Sequence, residues 1–221
     1  EKALSIREST VGINHPDTAT NYNDIGMIYY SLNDFENAVE NHLKAISIRE
    51  TILGADHPEL ALSYNNIGSS YNRLGDFDKA LEYLQKAVNI QESTLGPKHI
   101  TTASTYNNIA LTYDSLADYH KSLEYYHKAL ESYEANDNIN VVNTYICIAS
   151  AYNVLGESEK ALEYYMKAIT KIESNQGVNN QELATCYNNI GLIYNILEDN
   201  DKALEYLGKG LLIQESHLGT N

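Results

Sequence analysis

Tryptophan is absent from this 221-residue sequence, phenylalanine and cysteine each occur twice, and proline occurs three times. Two cysteines, Cys147 and Cys186, cannot build a disulfide framework and show no metal-ligand spacing, which suits a reducing, cytoplasmic setting. Cations are also scarce: 15 lysines and arginines face 30 aspartates and glutamates, a formal net charge of −15. Such a balance repels phosphate backbones and anionic headgroups, which argues against nucleic acid and membrane surfaces as partners. No run approaches the roughly 18 apolar residues of a membrane span, and no basic-then-apolar leader opens the chain. Glycine-rich phosphate loops, nucleophile elbows and zinc motifs are missing too, so neither an enzyme nor a cofactor is expected.

What the sequence has in excess is tyrosine, nineteen in all, and their positions reveal a repeat. Tyr22-Asn23-Asp24-Ile25-Gly26 recurs as Tyr64-Asn65-Asn66-Ile67-Gly68 and as Tyr106-Asn107-Asn108-Ile109-Ala110, each 42 residues on. Tyr145-Ile146-Cys147-Ile148-Ala149 follows after 39, and Tyr187-Asn188-Asn189-Ile190-Gly191 after 42 more. A second tyrosine lies three residues past each small residue. Further small residues recur at Ala38, Ala80, Ser122, Ala161 and Ala203, and at Ala45, Ala87, Ala129, Ala168 and Gly210. This is the spacing of a helical hairpin whose arms approach closely.

Breaks between the arms fall at Asn33-Asp34, Gly75-Asp76, Ala117-Asp118, Gly156-Glu157 and Glu198-Asp199, where the acidic residue suits a helix start. The second arms are expected to stop at Gly12, Gly54, Gly96, Gly177 and Gly219. His15, His57 and His99 precede first arms. Stacked helices lie about 8–10 Å apart, too far for one ion to bridge histidines of adjacent repeats, so these residues are read as helix-start caps and no metal site is expected.

The run Ile48-Arg49-Glu50-Thr51-Ile52-Leu53-Gly54-Ala55-Asp56-His57-Pro58, followed by Tyr64-Asn65-Asn66-Ile67-Gly68, resembles the tetratricopeptide repeat. Its 42-residue period resembles the kinesin light chain type. The resemblance implies an all-α, right-handed superhelical solenoid of stacked hairpins over residues 1–221. Residues 1–12 would be a partial repeat, its second helix only, and five repeats would start near 16, 58, 100, 140 and 181, giving eleven helices. The ends predict an excised segment of a longer array. Around Ala135-Asn136-Asp137-Asn138 three residues and the His-Pro pair are missing, which predicts a kink or a shorter helix there.

With ~100° per residue, and with the leading tyrosine numbered 4 in each first helix, positions 4, 7, 8 and 11 form the core stripe. Positions 5, 6, 9, 12 and 13 face away from it. The resemblance implies that this face lines a concave groove for a protein or linear peptide. The groove residues expected on this reading are Asn23, Asn65, Asn66, Asn72, Arg73, Asn107, Asn108, Asn153, Asn188, Asn189 and Asn195. Asparagine in a helix interior costs up to ~0.7 kcal/mol relative to alanine, so its recurrence calls for a reason. Either the amides hydrogen-bond the main chain of an extended peptide, or they were copied with the repeat and merely face water or brace the next helix. On the first reading Asn66, Asn108 and Asn189 serve binding and add little to folding.

Arg73 is the lone cation of the five first helices. The basic groove that kinesin light chain repeats offer to tryptophan-acidic peptides is therefore missing, and so are the cations at positions 2, 5 and 6 that a terminal-carboxylate clamp needs. The negative field favours basic or neutral ligands. Three roles fit: a peptide-binding adaptor or cargo module, a regulatory or sensor array docking on an effector domain of a larger protein, and an architectural spacer.

Overall fold

A computed structural model describes residues 14–54, 56–174 and 180–218. Among them the chain forms ten α-helices and no strand: α1 (Pro16–Ser31), α2 (Phe35–Leu53), α3 (Pro58–Leu74), α4 (Phe77–Thr94), α5 (Ile100–Ser115), α6 (Tyr119–Ala135), α7 (Asn140–Val154), α8 (Ser158–Ser174), α9 (Asn180–Ile196) and α10 (Asn200–Leu218). The opening helix expected within residues 1–12, and the stops at Gly12, Gly177 and Gly219, lie outside the described residues. The chain divides into two compact units, residues 1–132 and 133–221. In the first, the hairpins α1/α2 and α3/α4 stack on each other and on α5, and the first helices α1, α3 and α5 also touch in succession. In the second, α7/α8 and α9/α10 form two more hairpins, with α8 against α9.

Local chemistry explains the helix ends. The Nδ1 atoms of His15, His57 and His99 accept the backbone N–H two residues on, each at 3.2 Å, satisfying a donor that the first turn leaves orphaned. Pro16 and Pro58 follow at the first helical position, where a missing N–H costs nothing. At the second helices Asp34, Asp76, Asp118 and Asp199 accept the backbone N–H three residues on at 3.2–3.3 Å.

The residue just before each of these carboxylates, and before Glu157 at the start of α8, takes the left-handed conformation: Asn33, Gly75, Ala117, Gly156 and Glu198 have φ between 57° and 83°. Glycine and asparagine tolerate it, whereas alanine and glutamate do not. Ala117→Gly and Glu198→Gly are therefore each expected to stabilise the fold by about 1 kcal/mol, measured by urea unfolding. An unchanged or lowered midpoint would show that these turns carry no strain.

Side-chain size sets how closely the arms pack. Ala38, Ala80, Ser122 and Ala161, and likewise Ala45, Ala87, Ala129 and Ala168, are completely buried. A β-carbon added to Gly68 would stand 2.6 Å from Leu84 Cγ. The slot that Leu84 fills in α4 belongs to His42 in α2, Tyr126 in α6, Tyr165 in α8 and Leu207 in α10. Where the facing residue is Ala110 instead of glycine, the tyrosine Tyr126 sends its hydroxyl on to Asp114, 2.7 Å away.

Tyrosines then tie repeat to repeat. The leading tyrosine of a first helix donates its hydroxyl to a glutamate near the end of the preceding second helix: Tyr64 to Glu50 at 2.7 Å, Tyr106 to Glu92, Tyr145 to Glu134 at 2.6 Å and Tyr187 to Glu173 at 3.2 Å. Burial, then the bond to the carboxylate, pushes the Tyr64, Tyr106 and Tyr145 hydroxyls well above the ordinary tyrosine range. In the four hairpins after the first a second-helix tyrosine stacks on a first-helix one, as Tyr83 does on Tyr71 with centroids 5.7 Å apart and Tyr125 on Tyr113 at 5.8 Å. Lysines paired with glutamates four residues earlier, such as Lys86 with Glu82 and Lys128 with Glu124, lie over the same rings.

The shortened fourth junction is rebuilt locally. Asp137, with φ 48°, takes the left-handed position, and Asn138 Oδ1 accepts the Asn140 N–H at 2.9 Å in place of a histidine cap. The helix that follows, α7, has 15 residues and is the shortest among those described.

Candidate functional site: a cleft across three first helices

In the first unit α1, α3 and α5 lie side by side and enclose an open cleft of about 250 Å³. Tyr30 lines it from α1, Ser69, Asn72 and Arg73 from α3, and Asn108, Leu111 and Ser115 from α5. In repeat register these are positions 6, 9, 12 and 13; no residue at position 5 contributes. No aspartate or glutamate lines the cleft. Asp114, at position 12 of its repeat, is engaged by Ser122 Oγ and by Tyr126 Oη. Burial raises its carboxyl above the usual aspartate range despite these two bonds.

The expected groove residues separate into groups. Asn23 is buried, and its Oδ1 accepts from Asn66 Nδ2 at 3.1 Å. Asn65 Oδ1 accepts from Asn108 Nδ2 at 2.9 Å and from Thr105 Oγ1 at 3.1 Å. The asparagine ladder is thus bonded rung to rung, position 5 of one repeat to position 6 of the next. Asn72 Nδ2 donates to Thr112 Oγ1 at 2.7 Å, another link between repeats. Asn107 is half-buried and its Oδ1 has no hydrogen-bond partner. Asn188 lies directly over Gly210 of α10, where a β-carbon would collide with its Oδ1. Asn153 and Asn189 are half-buried and Asn195 is exposed.

This geometry changes the expected energetics of the ladder. Removing Asn66 leaves the buried Asn23 Oδ1 without a donor, and an unsatisfied buried polar group costs about 1–3 kcal/mol, more than alanine's better helix propensity returns. Asn66→Ala should lower stability by about 1 kcal/mol net, and Asn108→Ala by less, because Asn65 Oδ1 keeps its bond from Thr105. Asn189→Ala should leave stability unchanged or slightly raised, because the preceding repeat carries Ile146 at the position of Asn65. Equal unfolding midpoints for all three variants would sink the bracing role.

Arg73 is exposed at the cleft edge. Its guanidinium lies 4.7 Å from the Phe35 ring centroid and 6.0 Å from that of Tyr30, and Nη2 donates to Asn33 Oδ1 at 3.4 Å. Phe35 escapes a reading confined to first helices because it opens α2; the left-handed Asn33 turns it back toward Arg73. A second depression, of about 490 Å³ and more open, lies in the other unit beside Tyr145 and Met166. Both of its lysines, Lys167 and Lys171, are held by carboxylates. Among the described residues no group of three histidine, cysteine or acidic side chains is arranged to hold a metal, and no helix is long and apolar enough to cross a membrane.

A repeated hairpin with small residues at its crossing and an inter-repeat ladder defines a helical repeat protein. The chain belongs to the tetratricopeptide repeat family, which it matches over residues 1–51, 31–93, 59–135 and 140–216. Repeats of this family are generally non-catalytic modules of protein–protein interaction. No curated protein matches the sequence.

Among solved structures it is similar to BtubC (BKLC) from P. vanneervenii, with a TM-score of 0.83 and 20% identity over 99% of this chain and 87% of that one. It is also similar to the kinesin light chain nearly identical TPR-like repeats from Podosopora anserina, with a TM-score of 0.79 and 18% identity over 92% and 98%. A third similar structure is aspartyl phosphate phosphatase F from Bacillus subtilis, with a TM-score of 0.80 and 20% identity over 97% of this chain and 55% of that one. At such identities the likeness is one of fold.

Proposed function

We propose that this chain is a non-catalytic scaffold that holds an extended peptide or protein segment against its first helices, as an adaptor or cargo module, with the α1/α3/α5 cleft as the principal contact. The observation that carries this reading is an open cleft walled by uncharged polar side chains, one guanidinium and the apolar surfaces of Tyr30 and Leu111. Such a lining hydrogen-bonds a peptide main chain and seats one or two side chains. Of the asparagine array, Asn72 and Asn108 contribute from the cleft, and Asn153 and Asn195 from the other unit. Asn23, Asn65 and Asn66 act by positioning the helices, and Asn188 packs on Gly210 within its hairpin. The net charge of −15 supports partners other than nucleic acid or anionic membrane surfaces.

The test is display of a random linear peptide library on the full chain, with Asn108→Asp/Ser69→Glu as a blocked control. Peptides enriched by the wild type and lost on the control support the reading. A folded chain that enriches no linear motif overturns it and favours the array docking on an effector domain.

A further inference from the structure

We propose that Arg73 receives one side-chain carboxylate, from an aspartate or glutamate inside a segment that is otherwise neutral or basic; this rests on the groove reading above. Every other described lysine and arginine is held in an ion pair with a carboxylate of this chain. Among the described residues Arg73 alone has none, in a chain where acids outnumber bases two to one. Carboxylates are abundant, yet this guanidinium is kept from them.

The means are visible in the fold. Asp114, the acid at position 12 of the neighbouring first helix, has its oxygens taken by Ser122 and Tyr126. The guanidinium carbon lies over the Phe35 and Tyr30 rings, contacts that neutralise none of its charge. Of the five N–H donors of a guanidinium, one goes to Asn33, so an edge remains for the planar, two-bond grip that suits a carboxylate.

Field and geometry narrow the source of that carboxylate. One cation against a net charge of −15 cannot offset a run of acidic residues, so the ligand brings a single acid with neutral or basic neighbours. The groove reading lays an extended segment across α1, α3 and α5, so the carboxylate assigned is a side chain within that segment.

The experiment uses the full chain and the peptides enriched from the random library. Each is synthesised as the parent, with its acid changed to the amide, and with an amidated C-terminus. Affinities are measured against the wild type, Arg73→Gln and Arg73→Met, the last of which keeps an unbranched stem on Phe35. The expected result is a loss of about tenfold on amidating the side chain or on replacing Arg73, with no further loss when both are changed, and no effect of the terminal amide. Enriched peptides that lack an acid and ignore Arg73 would overturn the carboxylate while leaving the groove reading intact. Loss on terminal amidation alone would overturn the internal source, and failure to enrich any peptide would overturn both readings. If the Arg73 variants do not fold, the amidation series on the wild type still decides.

Discussion

Arg49→Ala is expected to destabilise the first unit by about 3 kcal/mol, at the low end of what breaking a buried ion pair costs. Arg49 is only 4% exposed, a rare state for an arginine. It bridges three helices from its place near the end of α2. Nη1 donates to Ser63 Oγ on α3, Nη2 to Thr20 Oγ1 on α1 at 3.5 Å, and Nε lies 3.5 Å from a carboxylate oxygen of Glu59. Burial depresses its pKa, and the charges of Glu59 and Asp24 oppose that shift.

Truncation removes the buried stem as well as the charge, leaving a cavity where α1, α2 and α3 meet. Glu59 limits the damage because it is half-exposed and turns to water. The same slot is filled by Gln91 in α4, Tyr133 in α6 and Ile172 in α8, each buried to a similar degree. What the position demands is volume more than charge. Arg49→Met should therefore recover most of the loss, to within about 1 kcal/mol of wild type. Urea unfolding of the two variants measures this, and equal losses would show that the charge, not the packing, joins the helices.

How much of this was legible in the sequence depended on how many neighbours each side chain has. Helix ends were legible because capping is a matter of a few adjacent residues: His15-Pro16 and Asn33-Asp34 act on backbone atoms within three positions of themselves. The hairpin crossing was legible because only alanine, serine or glycine recurs there. The face bearing the asparagines was harder to read. A helical wheel sets position 5 opposite the core stripe, but a first helix in a stack has a second neighbour in the next first helix, and that neighbour covers it. Hence Asn23 is buried and Asn65 is spent on Asn108. Arg49 and His42 stayed hidden because their residue types are usually found outside; His42 is buried against Gly26 of its own hairpin, and Arg49 reaches both α1 and the α3 of the next repeat. Arg73 was legible as the lone first-helix cation. Its freedom from carboxylates was not, because that depends on where twelve other cations and their partners lie.

Acid sensitivity is the other large effect expected, and it centres on His42. Its imidazole is completely buried against Gly26, where an added β-carbon would come within 2.6–3.0 Å of the ring, and neither nitrogen has a hydrogen-bond partner. Burial, and secondarily the nearby Arg49 charge, lowers its pKa from 6.5 to about 4. A folded-state pKa below the unfolded one means that the unfolded chain takes up the proton first. The stability His42 permits is therefore fully present above about pH 6.5 and drains away as the pH falls towards 4, by about 3 kcal/mol in all.

A comparison with His42→Leu isolates the buried group. Leucine already fills this slot against a glycine in α4 and α10, so the substitution fits the cavity and removes two unsatisfied nitrogens. His42→Leu should raise stability at pH 7 by about 1–2 kcal/mol and widen that advantage to about 4 kcal/mol near pH 4. Urea unfolding of both proteins at half-unit steps from pH 7.5 to 4 gives the two curves. Parallel curves would mean that His42 is not the buried proton acceptor.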